Sequence, residues 1–160
     1  MWRQSWPVGP SSGMDSHPPI VYDPTPRPQD IDRLGDGINQ FSMPAVGPSN
    51  RVYFTYFVKD EAGEILAGVH GNSDWGWLYI SALWVDESLR GTGLGRALMA
   101  QAEAHALDQG CTHAYLQTMS YQAPDFYAKL GYTVFAELED IPPPHKCIFF
   151  RKRLTDRRSP

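Results

Sequence analysis

The sequence has little of three things: cysteine, basic charge and long apolar runs. Its two cysteines, Cys111 and Cys147, are too few for a disulfide framework, and they lack the spacing of a metal site. We therefore expect reduced core thiols in a cytoplasmic protein without a bound metal. No apolar run approaches the ~20 residues that a membrane-spanning helix needs, so no membrane partner is expected. Fourteen basic and eighteen acidic residues give a formal net charge of −4, which argues against a nucleic-acid partner and favours cationic ligands.

What the sequence does contain is typical of one globular domain. Of its 160 residues, 42% are hydrophobic and 12% are aromatic, enough for a sizeable core. Residues 1–18 contain several prolines and no hydrophobic periodicity, so they bury too little apolar surface to offset the entropy of ordering. We expect a flexible extension at 1–18, a folded domain at 19–154 and a short basic tail at 155–160.

The most informative stretch is a glycine-rich loop between a predicted strand, 78–85, and a predicted helix, 94–109. Its glycines are Gly91, Gly93 and Gly95. Glycine lets the backbone approach a ligand closely, and the first N–H groups of a helix have no partners within the helix. Together with the positive end of the helix dipole, they predict a site for a phosphate or pyrophosphate.

The spacing of this loop distinguishes between known phosphate loops. Arg96 and Ala97 stand where a P-loop needs Lys followed by Ser or Thr, and Arg96 replaces the third glycine of a dinucleotide fingerprint. The frame that fits is Arg/Gln-x-x-Gly-x-Gly/Ala, filled by Arg90, Gly93 and Gly95. It resembles the acetyl-CoA pyrophosphate loop of the GNAT superfamily of N-acetyltransferases.

A second motif strengthens this resemblance. Residues 123–132 are similar to the A-x-x-F-Y-x-x-x-G-[FY] helix of the same superfamily. Pro124 suits the first helical position, Asp125 suits the N-terminal turn and Gly131 suits the residue after the helix. In this frame Tyr127 is the tyrosine of the motif.

The resemblance implies an α/β fold with a mixed sheet. Its N-terminal strands would be mostly antiparallel, and a parallel pair would splay apart at the cofactor cleft. The hydrophobic pattern adds a strand at 20–22, a helix at 29–41 and a loop at 42–50. It also predicts strands at 52–58 and 65–69, followed by a turn at 72–74. Residues 75–77 begin the next strand, which continues through 78–85. Further strands are predicted at 112–119, 132–137 and 147–153.

The resemblance also implies the reaction and the residues that perform it. An acetyl group would pass from acetyl-CoA to a primary amine by direct attack in a ternary complex. Tyr127 would be the acid that protonates the leaving CoA thiolate, and backbone amides of 83–85 would polarise the thioester carbonyl. The expected cofactor-binding residues are Leu83, Trp84, Val85, Arg90, Gly91, Thr92, Gly93, Leu94, Gly95, Arg96 and Ser120.

The general base is where the chain departs from the superfamily. Many members carry Glu six residues before the position of Val85, and this chain has Tyr79 there. Tyrosine is a poor base at neutral pH. Tyr79 and Ser81 are therefore expected to hold a water relay that ends at His70 or Asp74. Both residues also fit structural roles, on an edge strand and in a turn, and a dedicated base is not required.

The acceptor is expected to be a small-molecule amine of unknown identity. Trp75, Trp77, Tyr79 and Phe41 either wall a pocket for a flat or cationic amine or belong to the core. Two alternatives stay open: a protein or aminoacyl-tRNA acetyltransferase, and a module that binds acyl-CoA without catalysis. Homodimer formation is also open.

Overall fold

The computed structural model of this chain describes residues 17–154. Most of the expected extension at 1–18, and all of the expected tail at 155–160, lie outside the described residues. The chain divides into two compact units, Met1–Ala45 and Val46–Pro160, and each is described by itself below. Among residues 17–154, no helix is long and apolar enough to cross a membrane.

The first unit contains almost all of one helix, α1 (Pro28–Val46). Arg27 donates two hydrogen bonds of 2.8 Å to Asp30 in the first turn. The predicted end at residue 41 was wrong, because the helix continues through Pro44. A proline so close to the end removes only one hydrogen bond of the helix. The strand predicted at 20–22 is also absent, since prolines on either side of this short run cannot donate to a sheet.

The second unit is built around a six-stranded sheet with the order β1-β2-β3-β4-β6-β5. Only the β3–β4 pair is parallel, because a helix connects these two strands, and the other pairs are antiparallel. This confirms the expected mixed α/β fold. The strands are β1 (Val52–Lys59), β2 (Ile65–Asp74), β3 (Trp77–Val85), β4 (His113–Met119), β5 (Thr133–Leu138) and β6 (Cys147–Arg153), and the helices are α2 (Leu94–Asp108) and α3 (Pro124–Lys129).

The β2–β3 hairpin corrects another prediction. Residues 72–74, predicted as a turn, are the last residues of β2, and the turn is formed by Trp75 and Gly76 with φ of 44° and 80°. Two positive φ angles match the tight turn that suits the twist of a hairpin. The polar residues remain in the strand because Ser73 faces the core and Asp74 pairs with Arg51, the residue before β1.

The core lies between the sheet and α2. Its largest fully buried side chains are Val69, Leu78, Met99 and Leu116. His105 on α2 lies 3.1 Å from the Tyr56 hydroxyl through Nδ1 and belongs to the edge of this core. The expectation of core thiols is confirmed, since both cysteines are buried and free.

Two irregularities of β3 open the sheet. First, Gly71 pairs with Ile80 but His70 pairs with Ala82, so Ser81 forms a β-bulge. Gly71 permits this close approach, because a Cβ built on it would overlap the carbonyl oxygen of Tyr79.

Second, β3 and β4 pair only from Trp77 opposite His113 to Ile80 opposite Leu116. Beyond that point β3 continues to Val85 and β4 continues to Met119. The expected splayed pair is therefore present.

Candidate active site

An open cleft of about 910 Å³ lies at the splayed ends of β3 and β4. Nine of the eleven residues expected to bind the cofactor line it, and so does Tyr127. The nine are Leu83, Trp84, Val85, Arg90, Gly91, Gly93, Leu94, Gly95 and Arg96.

The other two expected cofactor residues use their hydroxyl groups within the protein. Thr92 Oγ1 donates a 2.7 Å hydrogen bond to the carbonyl oxygen of Leu89. Ser120 Oγ accepts a 3.1 Å hydrogen bond from the N–H of Lys146. These bonds hold the glycine loop and the end of β4 in place.

The loop before α2 is shaped by backbone conformation. Gly91 and Gly93 have φ of 76° and 89°, in the left-handed region that favours glycine. Asp86 caps the turn that leads into the loop by accepting hydrogen bonds from the N–H and hydroxyl of Ser88. Those bonds lower the pKa of the Asp86 carboxyl. Arg90 is tied back to β3, since its Nε donates to the carbonyl oxygen of Val85 at 3.2 Å.

The start of α2 presents backbone donors to the cleft wall. Ala97 donates a 3.0 Å hydrogen bond to the carbonyl oxygen of Gly93. The N–H groups of residues 94–96 come before this bond and therefore have no acceptor within the helix. Gly95 also lets α3 approach, because a Cβ there would lie 3.3 Å from Cζ of Phe126. Donors at a helix N-terminus inside a cleft suit a phosphate ligand.

Tyr127 lies on α3 and packs among aromatic rings. Its ring centroid is 5.1 Å from that of Phe126, 6.3 Å from Tyr132 and 5.9 Å from Phe150. Burial raises the pKa of the Tyr127 phenol, because the charged form would be poorly solvated. The phenol therefore keeps its proton at neutral pH and can act as an acid toward a group in the cleft.

Basic side chains at the cleft were partly missed by the sequence reasoning. Arg96 was expected there, and Lys129 on α3 joins it. Both also line an adjoining cavity of about 390 Å³ that includes Glu103 and Lys152. Lys152 is held by both carboxylate oxygens of Glu103 at 2.8 Å. The one available signal for Lys129 was its place in the motif, two residues after Tyr127.

Tyr79 lies on the other face of the sheet and does not line the cleft. It alternates with the buried Leu78 and Ile80 along β3. Its ring stacks on Tyr115 of β4, with centroids 4.8 Å apart and planes 24° apart. Burial and the neighbouring Tyr79 raise the pKa of Tyr115.

Of the expected aromatic wall, Trp77 and Tyr79 lie on one face and both contact the ring of Tyr115, with centroids 6.0 and 4.8 Å away. Trp77 stacks on His113 at 4.7 Å, and Trp75 lies in the hairpin turn. Phe41 belongs to the first unit. The stacks across β3 and β4 were missed because they depend on register, and only the alternation of aromatic residues in both strands could have indicated them.

The groups expected to end a water relay differ in their surroundings. Asp74 is bound by Arg51 at 2.8 Å, and it accepts from the hydroxyl of Ser49. Ser81 Oγ donates to the carbonyl oxygen of His70 at 3.2 Å. Within residues 17–154 no group of three or more His, Cys, Asp or Glu residues converges as a metal site.

Comparison with known proteins gives consistent results. Residues 21–132 match the family described as the Acetyltransferase (GNAT) family. The chain is 44% identical over 93 residues to the blasticidin-S acetyltransferase of Streptomyces morookaense, a match that covers 58% of this chain and 68% of the relative.

Solved structures share the fold. An acetyltransferase from Bacillus cereus superposes with a TM-score of 0.76 at 33% identity, covering 84% of this chain and 98% of that one. An aminoglycoside 6′-N-acetyltransferase complexed with coenzyme A superposes with a TM-score of 0.58 at 18% identity, covering 67% and 76% of the two chains. The match to the family covers well over half of the sequence, and both of its expected motifs form one cleft. The chain therefore belongs to the GNAT family of acetyltransferases.

Proposed function

We propose that this acetyltransferase transfers the acetyl group of acetyl-CoA to a primary amine of a small molecule, by direct attack in a ternary complex. The observation that carries the proposal is the single cleft in which the N-terminus of α2 and Tyr127 lie together at the opened edge of β3. A relative named for the acetylation of blasticidin S supports a small-molecule acceptor.

The glycine loop would hold the pyrophosphate of acetyl-CoA. Donors at residues 94–96 provide hydrogen bonds at the positive end of the α2 dipole. Arg96 and Lys129 add positive charge at the same wall. Arg90 adds another charge, although its Nε already bonds to Val85. In this arrangement Thr92 and Ser120 support the site through their bonds within the protein.

The opened edge of β3 would hold the pantetheine and the thioester. Beyond Ile80 this strand has no partner in β4, so the backbone of residues 83–85 is available on that edge. Amide donors aimed at the thioester oxygen stabilise the negative charge that develops there during attack. The reacting carbonyl would then lie in the split between the two strands.

Tyr127 would supply the proton for the leaving group. The neutral amine nitrogen bonds to the acetyl carbon and loses one proton to water, the C–S bond breaks, and the thiolate takes the phenol proton. A phenol carries its proton at neutral pH, and burial, which raises the pKa of Tyr127, extends this to higher pH. Tyr79, with its hydroxyl on the opposite face, would position a water or the acceptor together with Ser81.

Two measurements on the whole chain test the proposal. Calorimetry measures the binding of acetyl-CoA, and the release of CoA is followed with a panel of small amines, a basic peptide and an aminoacyl-tRNA. We expect binding, with CoA release for small amines only. Binding without release for any acceptor would indicate a non-catalytic module, and release with only the macromolecules would overturn the choice of acceptor.

A further inference from the structure

We propose that His70 is the general base that takes the proton from the acceptor's ammonium group. The inference rests on the proposed function, because it names the missing base of that reaction. Two observations support it: the register of β2 and β3, and the hydrogen bond made by one nitrogen of the His70 ring.

The register places His70 on β2 level with the split between β3 and β4, one strand away from it. Its partner on β3 is Ala82, which lies beyond the last β3–β4 pair at Ile80. Directly opposite residues of an antiparallel pair project to the same face, so the imidazole lies beside the short side chain of Ala82. The exposed Ala82 leaves room for a ligand there.

The same register brings Tyr79 to this face. Tyr79 pairs with Asn72, two residues from His70 on β2, and residues two apart in a strand share a face. The bulge at Ser81 allows Tyr79 and Ala82, three residues apart, to lie on one side. His70 therefore stands on the same side of the sheet as Tyr79, which is proposed to position a water or the acceptor.

The hydrogen bonds of His70 fix which nitrogen is basic. Nδ1 lies 2.8 Å from the carbonyl oxygen of Phe54. A carbonyl oxygen has no proton to give, so Nδ1 must carry the hydrogen and donate it. In the neutral ring the lone pair is then on Nε2. The hydroxyl of Thr55, also 2.8 Å from Nδ1, and the stacked ring of Tyr53 hold the imidazole in this orientation.

Neighbouring groups on this face are less suited to the role. Asp74 is neutralised by Arg51. Tyr115 is a weaker acid than usual because burial raises its pKa, so it does not supply a phenolate. His113 lies at the far end of the β3–β4 ladder, opposite Trp77, and its Nδ1 contacts the hydroxyl of Thr112.

The proton balance is simple. His70 Nε2 takes one proton from R–NH₃⁺, which gives a neutral amine and an imidazolium whose Nδ1–H still donates to Phe54. The amine attacks the acetyl carbon, the C–S bond breaks, and the CoA thiolate takes a proton from Tyr127. As the amide forms, the attacking nitrogen loses its second proton, which passes through water to the phenolate and restores Tyr127. The imidazolium then releases its proton to water, so each turnover releases one proton.

The first test compares the same substitution at two histidines of one sheet face. With an alkylamine that the wild type acetylates, His70→Gln should lower kcat by ~10²–10⁴-fold, the usual contribution of general base catalysis, and leave the Kd for acetyl-CoA unchanged. His113→Gln should keep kcat within about threefold of the wild type. Added imidazole should restore part of the activity of His70→Ala.

The second test is independent of turnover. Nitrogen NMR of the whole chain should show His70 with a protonated Nδ1 and a bare Nε2 when the ring is neutral. The opposite tautomer would overturn the proposal, as would full turnover of His70→Gln or an equal loss in His113→Gln. If the wild type acetylates no amine, the proposed function itself fails. If both the wild type and His70→Gln acetylate the amine, only the role of His70 as the general base is excluded.

Discussion

The two sides of the split between β3 and β4 are built in different ways. The cofactor side depends on backbone groups and on short continuous segments, 90–96 and 123–132. The proposed acceptor side consists of side chains from separate strands, His70, Tyr79 and Tyr115, which share one face only through register. A motif of consecutive residues can be recognised from the sequence wherever it lies in the chain. A site made by register depends on every turn and bulge before it, and one shifted residue would reverse its faces.

Tyr127→Phe should have the largest effect, because this group is the proposed acid at the boundary of the two sides. Loss of the hydroxyl should lower kcat by ~10²–10⁴-fold and leave the Kd for acetyl-CoA nearly unchanged. Stopped-flow or steady-state assays measure the rate, and calorimetry measures the affinity. Since burial raises the pKa of Tyr127, the wild type should keep this acid protonated up to about pH 10, and any alkaline loss due to it should lie above that value.

A purely structural role for Tyr127 predicts a different pattern. Phenylalanine would keep the ring contacts with Phe126 and Phe150, so turnover would survive. Tyr127→Ala would then lower the free energy of unfolding by about 3 kcal/mol, whereas Tyr127→Phe would have no such effect. Full turnover of Tyr127→Phe would therefore exclude it as the acid.

Gly93→Val tests whether backbone donors dominate the cofactor side. A branched side chain at the start of α2 would block the N–H groups of the first turn, and losing two hydrogen bonds to a charged ligand costs about 3 kcal/mol. The Kd for acetyl-CoA should rise by about 100-fold in calorimetry.

Gly63→Val is its matched control. Gly63 and Gly93 both have φ of 89°, and a Cβ at either meets no atom within 4 Å. Both variants should lose similar stability through backbone strain. Only Gly93→Val should lose cofactor affinity, and equal losses of affinity would assign the effect to strain.

The same contrast explains what the sequence could predict. The glycine loop and the α3 motif were found from consecutive residues, and the splayed strands were expected from the family resemblance that these motifs carry. The end of β2 was missed, because Asn72, Ser73 and Asp74 have the composition of a turn but gain partners from the core and from β1. The stack of Tyr79 on Tyr115 and the bond from His70 to Phe54 require a register that no local pattern encodes.

Gly71→Ala should disturb the acceptor side with a smaller effect on the cofactor side. The new Cβ would overlap the Tyr79 carbonyl oxygen and lie 3.0 Å from Cζ of Phe54. Relief of this overlap should cost about 1–3 kcal/mol of unfolding free energy, measured by urea denaturation. The KM for the amine should rise, and the Kd for acetyl-CoA should stay within about twofold. Gly35→Ala in α1 meets no atom within 4 Å and should stabilise the chain slightly.

Arg90→Ala should have the smallest effect, although Arg90 is the first residue of the loop motif. Its side chain is exposed and donates to the carbonyl oxygen of Val85 at 3.2 Å, and the backbone donors at residues 94–96 do not depend on it. An exposed charge contributes about 0.5–1 kcal/mol, so the Kd for acetyl-CoA should rise about two- to fivefold, and less at high salt. Arg90→Lys keeps the charge but loses the planar donor, so wild-type affinity in this variant would assign the effect to charge. A loss near 100-fold in Arg90→Ala would show that affinity depends on this side chain, and the contrast between a backbone-built cofactor side and a side-chain-built acceptor side would then be wrong.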